Sequence, residues 1–123
     1  MGNVNYDSSL SFGSLDMSGS GTALPDIINL GKANIGNMRA DVFAAEDIAG
    51  GTAVTVTVQC GPDGSSGWVD IGKNTFTLDQ LKAGVCSVVL SPGEGPYLRV
   101  AVAKTGTFTA GVITGNLVPY AGK

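Results

Sequence analysis

The sequence predicts an all-β domain, an antiparallel sandwich or barrel of about eight strands. Three observations carry that expectation. Charged residues make up only 14% of the 123, while glycine reaches 19. That composition suits turns and pleated surface rather than long helices. Apolar and polar residues alternate one by one in the clearest runs, as half-buried strands require. The runs recur roughly every 8 to 12 residues with glycine-bearing turns between them. No βαβ alternation appears, so a parallel sheet is not expected. The length fits one domain, and a hydrophobic fraction of 43% argues against disorder.

Residues 1–24 read as an extended N-terminal arm with at most one short strand, and residues 25–123 as a single β-domain. The arm is rich in Gly and Ser but carries Leu10, Phe12, Leu15 and Met17. That is more apolar than a solvated tail usually is. The arm reads either as a loose terminus or as a segment that orders against a partner, with these four as its candidate contacts. SGSGT at 18–22 reads as a flexible link.

Ile27, Ile28 and Leu30 form a short strand stopping at Gly31. Met38, Ala40 and Val42 alternate with Arg39, Asp41 and Phe43, a strand followed by a loop ending at Gly50 and Gly51. TAVTVTVQC at 52–60 is the cleanest strand, with Val54, Val56, Val58 and Cys60 toward the core. GPDGSSG at 61–67 is a loop with strong turn chemistry. Residues 68–71 form a strand closed by Gly72, and Phe76 and Leu78 fall in a connecting segment. Residues 79–83 form one helical turn capped at Gly84, and VCSVVL at 85–90 is a strand. Two final strands follow the loop at 91–96. Lys104, Thr105 and Gly106 read as a tight hairpin between them, with Phe108, Ala110 and Val112 on one face of the last.

The chemistry-bearing residues are sparse. There is no histidine, so Ser-His-Asp and Cys-His nucleophile systems cannot be built. Asp41, Glu46 and Asp47 read as solvated loop charge rather than a catalytic carboxylate pair. The loop at 63–66 lacks the calcium-loop pattern. No enzyme activity, metal or cofactor is expected. Cys60 and Cys86 lie 26 apart, matching no zinc spacing. They read as two small buried side chains, with a disulfide left open. Trp68 is either a core plug, the favoured reading, or a sugar-stacking platform. Arg99 is either an exposed strand residue or a contact to an acid on a partner.

Net charge is −3, and the seven basic residues are scattered along the chain. A phosphate backbone calls for clustered Lys and Arg, so nucleic acid is not an expected partner. Neither is a membrane, since no apolar run approaches the ~20 residues of a span. The start MGNVNYDSSLSF has neither a basic nor an apolar signal region, so synthesis in the cytoplasm is expected.

The run GPYLRV at 95–100, followed by TGTFTAGVITGNLV at 105–118, resembles the C-terminal hairpin of tailed-phage capsid cement proteins. That family is typified by the cement protein of a Bordetella podovirus. IINLG at 27–31 and the Thr/Val strand at 53–59 are similar too, so the likeness spans roughly residues 22–118. It implies a jelly-roll-like β-sandwich on the outer surface of a virion, made in the host cytoplasm. It implies a partner, the major capsid protein of HK97-like fold, whose neighbouring subunits the chain would clamp. It also implies homo-oligomers, dimers ahead of trimers, and no enzyme activity. On this reading the candidate shell contacts are Leu10, Phe12, Leu15, Met17 and Arg99. Two other classes stay open: a carbohydrate-binding module using Trp68, and a low-copy tail or receptor-binding component.

Overall fold

The computed structural model describes residues 11–29, 38–44, 48–91 and 95–119. Its strands are β1 (Ser11–Asp16), β2 (Ile28–Asn29), β3 (Met38–Ala44), β4 (Ala49–Gly61), β5 (Val69–Thr77), β6 (Cys86–Val89), β7 (Tyr97–Ala110) and β8 (Val112–Pro119). One helix, α1 (Leu78–Ala83), lies between β5 and β6. Two four-stranded antiparallel sheets face each other, sheet A in the order β1-β8-β3-β6 and sheet B in the order β2-β7-β4-β5.

That order is a jelly roll. The outermost pairs of the chain, β1 with β8 and β2 with β7, are antiparallel neighbours. So are the inner pairs, β3 with β6 and β4 with β5. A long four-pair ribbon of this kind buries its apolar face only by rolling up, which puts alternate pairs in opposite sheets. The closing contacts are β3 with β8 in sheet A and β4 with β7 in sheet B.

The core follows from the alternation. Val54, Val56 and Val58 of β4 and Leu98, Val100 and Val102 of β7 point inward from sheet B. They meet Ala40 and Val42 of β3, Ile113 and Leu117 of β8, and Val88 of β6. Each large side chain so buried contributes roughly 1.5–3 kcal/mol of hydrophobic stabilisation. Helix α1 carries the chain from sheet B to sheet A and buries Leu81. Its start is fixed by a capping box, with the Gln80 N–H donating to Thr77 Oγ1 and the Thr77 N–H to Gln80 Oε1.

Residues 11–24 are built into this sandwich. The strand expected within the arm is β1, hydrogen-bonded along β8. Phe12 and Met17 are 0% and 1% exposed, and Leu24 is buried with them. The 18–22 link is likewise held. The Val102 N–H donates to the Thr22 carbonyl and the Leu24 N–H to the Val100 carbonyl, extending the β2 edge of sheet B. Lys104 Nζ donates to the Met17 and Gly19 carbonyls, tying the turn after β1 to the opposite sheet.

The expected hairpin at 104–106 is not one. β7 runs through it to Ala110, paired with β4, and β8 then pairs in the other sheet. Gly106 instead faces Gly51 in a stretch where the β4–β7 register shifts twice. The Phe108 ring lies over Gly51, where a Cβ would collide with it. The true break is Gly111, with φ +117; a Cβ there would come within 2.5 Å of Ile48 Cα. It also resets the phase: Phe108 is buried before it, and Ile113 and Leu117 after it, in place of Val112. Phe76, expected in a connection, is a buried residue of β5.

Candidate functional site

The outer faces of both sheets carry organised polar groups. On sheet B, Arg99 alternates outward between buried Leu98 and Val100, and Gln59 between buried Val58 and Cys60. The two sit directly opposite each other in the β4–β7 register. On the other side of Gln59, a bulge leaves Ile71 without a partner and brings Asp70 opposite Gln59. Arg99 Nε donates to Gln59 Oε1 at 2.8 Å, and Gln59 Nε2 donates to Asp70 Oδ1 at 2.8 Å. This relay crosses three strands.

Trp68, just before β5, completes the corner. The Arg99 guanidinium carbon stands 4.4 Å from the centre of its indole, a cation–π contact. The loop at 62–67 closes over the same end. Asp63 Oδ1 accepts from the Ser65 and Ser66 N–H groups, both at 3.0 Å. Those two donors hold the Asp63 carboxyl below the usual Asp range. The turn brings Gly64 against half-buried Tyr97, where a Cβ would lie 3.0 Å from the ring. Trp68, Tyr97 and Arg99 are all half-buried.

Next to Gln59 and Arg99 in the register, at the Thr57–Ala101 pair, lies a shallow groove of about 570 Å³. Thr57, Ala101 and Ala103 line it, with Ser20, Gly21 and Thr22 on one side and Lys104 beside them.

Sheet A differs. Asp41, on the outward side of β3, is only 3% exposed. Arg39 Nε donates to its Oδ1 at 2.9 Å and Arg39 Nη2 to its Oδ2 at 3.4 Å. The Ser87 hydroxyl donates to Oδ1 at 2.7 Å. The expectation of solvated loop charge at Asp41 is therefore corrected: it is a buried, fully engaged strand carboxylate. Glu46 and Asp47 lie outside the described residues.

The sequence-level candidates divide sharply. Leu10 lies outside the described residues. Phe12 and Met17 are corrected from partner contacts to core: Phe12 points inward from β1, and Met17, in the turn just after it, packs with it. Leu15 is partly buried against the same core. Arg99 and Trp68, assigned to different readings, are brought together. Trp68 is corrected from core plug to surface stack, and Arg99 from a simple exposed residue to an oriented one. Sequence reasoning missed Gln59, Asp70 and Tyr97, whose only local signals are outward positions on alternating strands. Cys60 and Cys86 are both buried and not bonded to each other, and burial pushes the Cys86 thiol up. Among the described residues no cluster of His, Cys, Asp or Glu could hold a metal ion.

No protein-family model matches this chain, and no curated protein matches it.

Proposed function

We propose that this chain is a cement protein of a phage head, bound to the outer surface of an icosahedral HK97-fold shell and bridging neighbouring major capsid subunits. The observation that carries the reading is the strand order. A resemblance resting on hydrophobic pattern and glycines implies a jelly roll, and the chain is wound as one. The Trp68–Arg99–Tyr97 corner supports it further. These residue types dominate the energetics of protein interfaces, and here they share one exposed end of the sandwich. A cement needs no single strong site, because modest contacts repeated over a shell sum through multivalency. Homo-oligomers, dimers first, belong to the same proposal.

The test is the copy number of the chain in purified virus particles, by quantitative mass spectrometry against the major capsid protein. Hundreds of copies in simple ratio to the shell protein are the expected result. A dozen or fewer would move the chain to the tail or a vertex, and absence from particles would overturn the reading. One observation favours a second reading, a carbohydrate-binding module: Trp68 lies on the surface beside the Gln59–Asp70 pair, not in the core. Affinity electrophoresis in polysaccharide gels, with retardation lost in Trp68→Ala, would support that alternative.

A further inference from the structure

Arg99 is held at three points and left open at its end. Its stem stands on a rigid central strand of sheet B, its Nε is tied to Gln59, and its plane is stacked on Trp68. The two terminal nitrogens have no partner among the described residues, and no described carboxylate lies within ion-pair range. A guanidinium fixed this way has already lost its rotamer freedom, so a planar anion meets a ready-made fork.

Two lysines lie near this face of an acidic protein. Lys73 sits opposite Thr57 in the β4–β5 register, on the same outward side. Lys104 lines the neighbouring groove, its ammonium donating to the Met17 and Gly19 carbonyls. Among the described residues, the acid on this face near the fork is Asp70, and it is engaged by Gln59. The groove floor is made of Thr57, Ala101 and Ala103, small side chains over which another backbone can lie close. Arg99, Ala101 and Ala103 succeed each other on one face of β7, about 7 Å apart. A floor of small side chains with a cation at its head, beside an aromatic stack, suits peptide rather than sugar hydroxyls.

We propose that the outer face of sheet B docks an extended segment of a partner protein, with a glutamate or aspartate carboxylate seated on the terminal nitrogens of Arg99 and its neighbours lying along Ala101 and Ala103. The surface is independent of the shell assignment; any partner with an acidic residue in an extended apolar stretch meets its terms. Bidentate carboxylate pairing supplies orientation, and the groove supplies register along the strand.

The test is a titration of the full chain with two capped five-residue peptides, Ala-Val-Glu-Val-Ala and Ala-Val-Gln-Val-Ala, followed by NMR. Trp68 is the only tryptophan, so its indole N–H reports without ambiguity. The Glu peptide is expected to shift the Arg99 Nε–H, the Trp68 indole and the Ala101 and Ala103 amides together and saturably at millimolar concentration. The Gln peptide is expected to bind at least tenfold more weakly. Arg99→Lys keeps the charge but loses the fork, and its amide spectrum reports directly that it folds. It is expected to bring the Glu peptide down to the Gln level. Equal binding of the two peptides overturns the proposal, as does undiminished binding by Arg99→Lys or an absence of shifts. Glucuronic acid is run alongside; if it shifts these resonances and the Glu peptide does not, the site takes an acidic sugar and the protein partner is overturned.

Discussion

Arg39 and Arg99 both project from the outer faces of the sandwich, one on each sheet, and they keep different company. Arg39 on β3 has Asp41 two residues along its own strand and grips it with two nitrogens. Ser87 closes the carboxylate from the neighbouring strand. Arg99 on β7 has only a neutral amide and an aromatic face. The first arrangement is complete within the chain and serves the sheet. The second orients a cation without neutralising it. Structural charges find their counter-ions inside the fold, whereas a charge that is oriented and left without one is available to something outside it.

The largest effect expected is one that tests which residues belong to this frame at all. Phe12→Ala removes a side chain that is 0% exposed between the sheets. It should cost about 3–5 kcal/mol of unfolding free energy, as large-to-small core changes do, read by urea denaturation. A loss under 1 kcal/mol would return residues 11–17 to the status of a dispensable arm and reopen Phe12 as a partner contact.

Next comes the contrast itself. Asp41→Ala strips three hydrogen bonds from a nearly inaccessible carboxylate, two of them from a charged donor. About 2–3 kcal/mol should be lost. Arg39 is about one-third exposed, so its guanidinium keeps access to water and the cost stays below that of a fully buried pair. Arg99→Ala should cost about 1–2 kcal/mol, the worth of a half-exposed cation–π contact and one hydrogen bond from a charged donor to a neutral amide. If Arg99→Ala proved the more damaging of the two, Arg99 would be a structural residue and its open end incidental.

The sequence showed the fold class plainly where strands alternate. Val54, Val56, Val58 and Cys60 are inward because single alternation in a β-branched run leaves one arrangement that buries them all. Residues 104–106 misled because a turn and a bulge draw on the same residues. Thr-Gly beside alternating strands signals either, and only the partner strand, with Gly51 beneath Phe108, decides between them. The site was legible as residues and not as a site. Trp68 and Arg99 are 31 positions apart in the sequence, and the β4–β7 register, a long-range fact, makes them neighbours. Asp41 looked solvated because its outward position was readable and its burial was not.

The smallest effect contrasts the turns that leave the two sheets. After β1, Asp16 Oδ1 accepts from the Ser18 hydroxyl and N–H; after β4, Asp63 Oδ1 accepts from Ser65 and Ser66. In both turns these donors lower the carboxyl pKa, chiefly the Ser18 hydroxyl in the first and the Ser65 N–H in the second. A lowered folded-state pKa means each turn is fully stabilised above the ordinary Asp value and released as pH falls through the depressed one. Both carboxyls are solvent-exposed, so the global fold should barely register the change. The amide resonances of Ser65 and Ser66 should move with a midpoint below the ordinary Asp value of about 3.9, and the Ser18 amide likewise. The consequences part at that point. Loss of the Asp63 turn frees the loop that packs on Tyr97, so the Trp68 indole should follow the Ser65 midpoint. The Asp16 turn keeps its Lys104 hydrogen bonds to the Met17 and Gly19 carbonyls at any pH in this range, so β1 should stay in register. An indole resonance indifferent to the Asp63 titration would separate loop from corner and confine the docking surface to Arg99 and the groove.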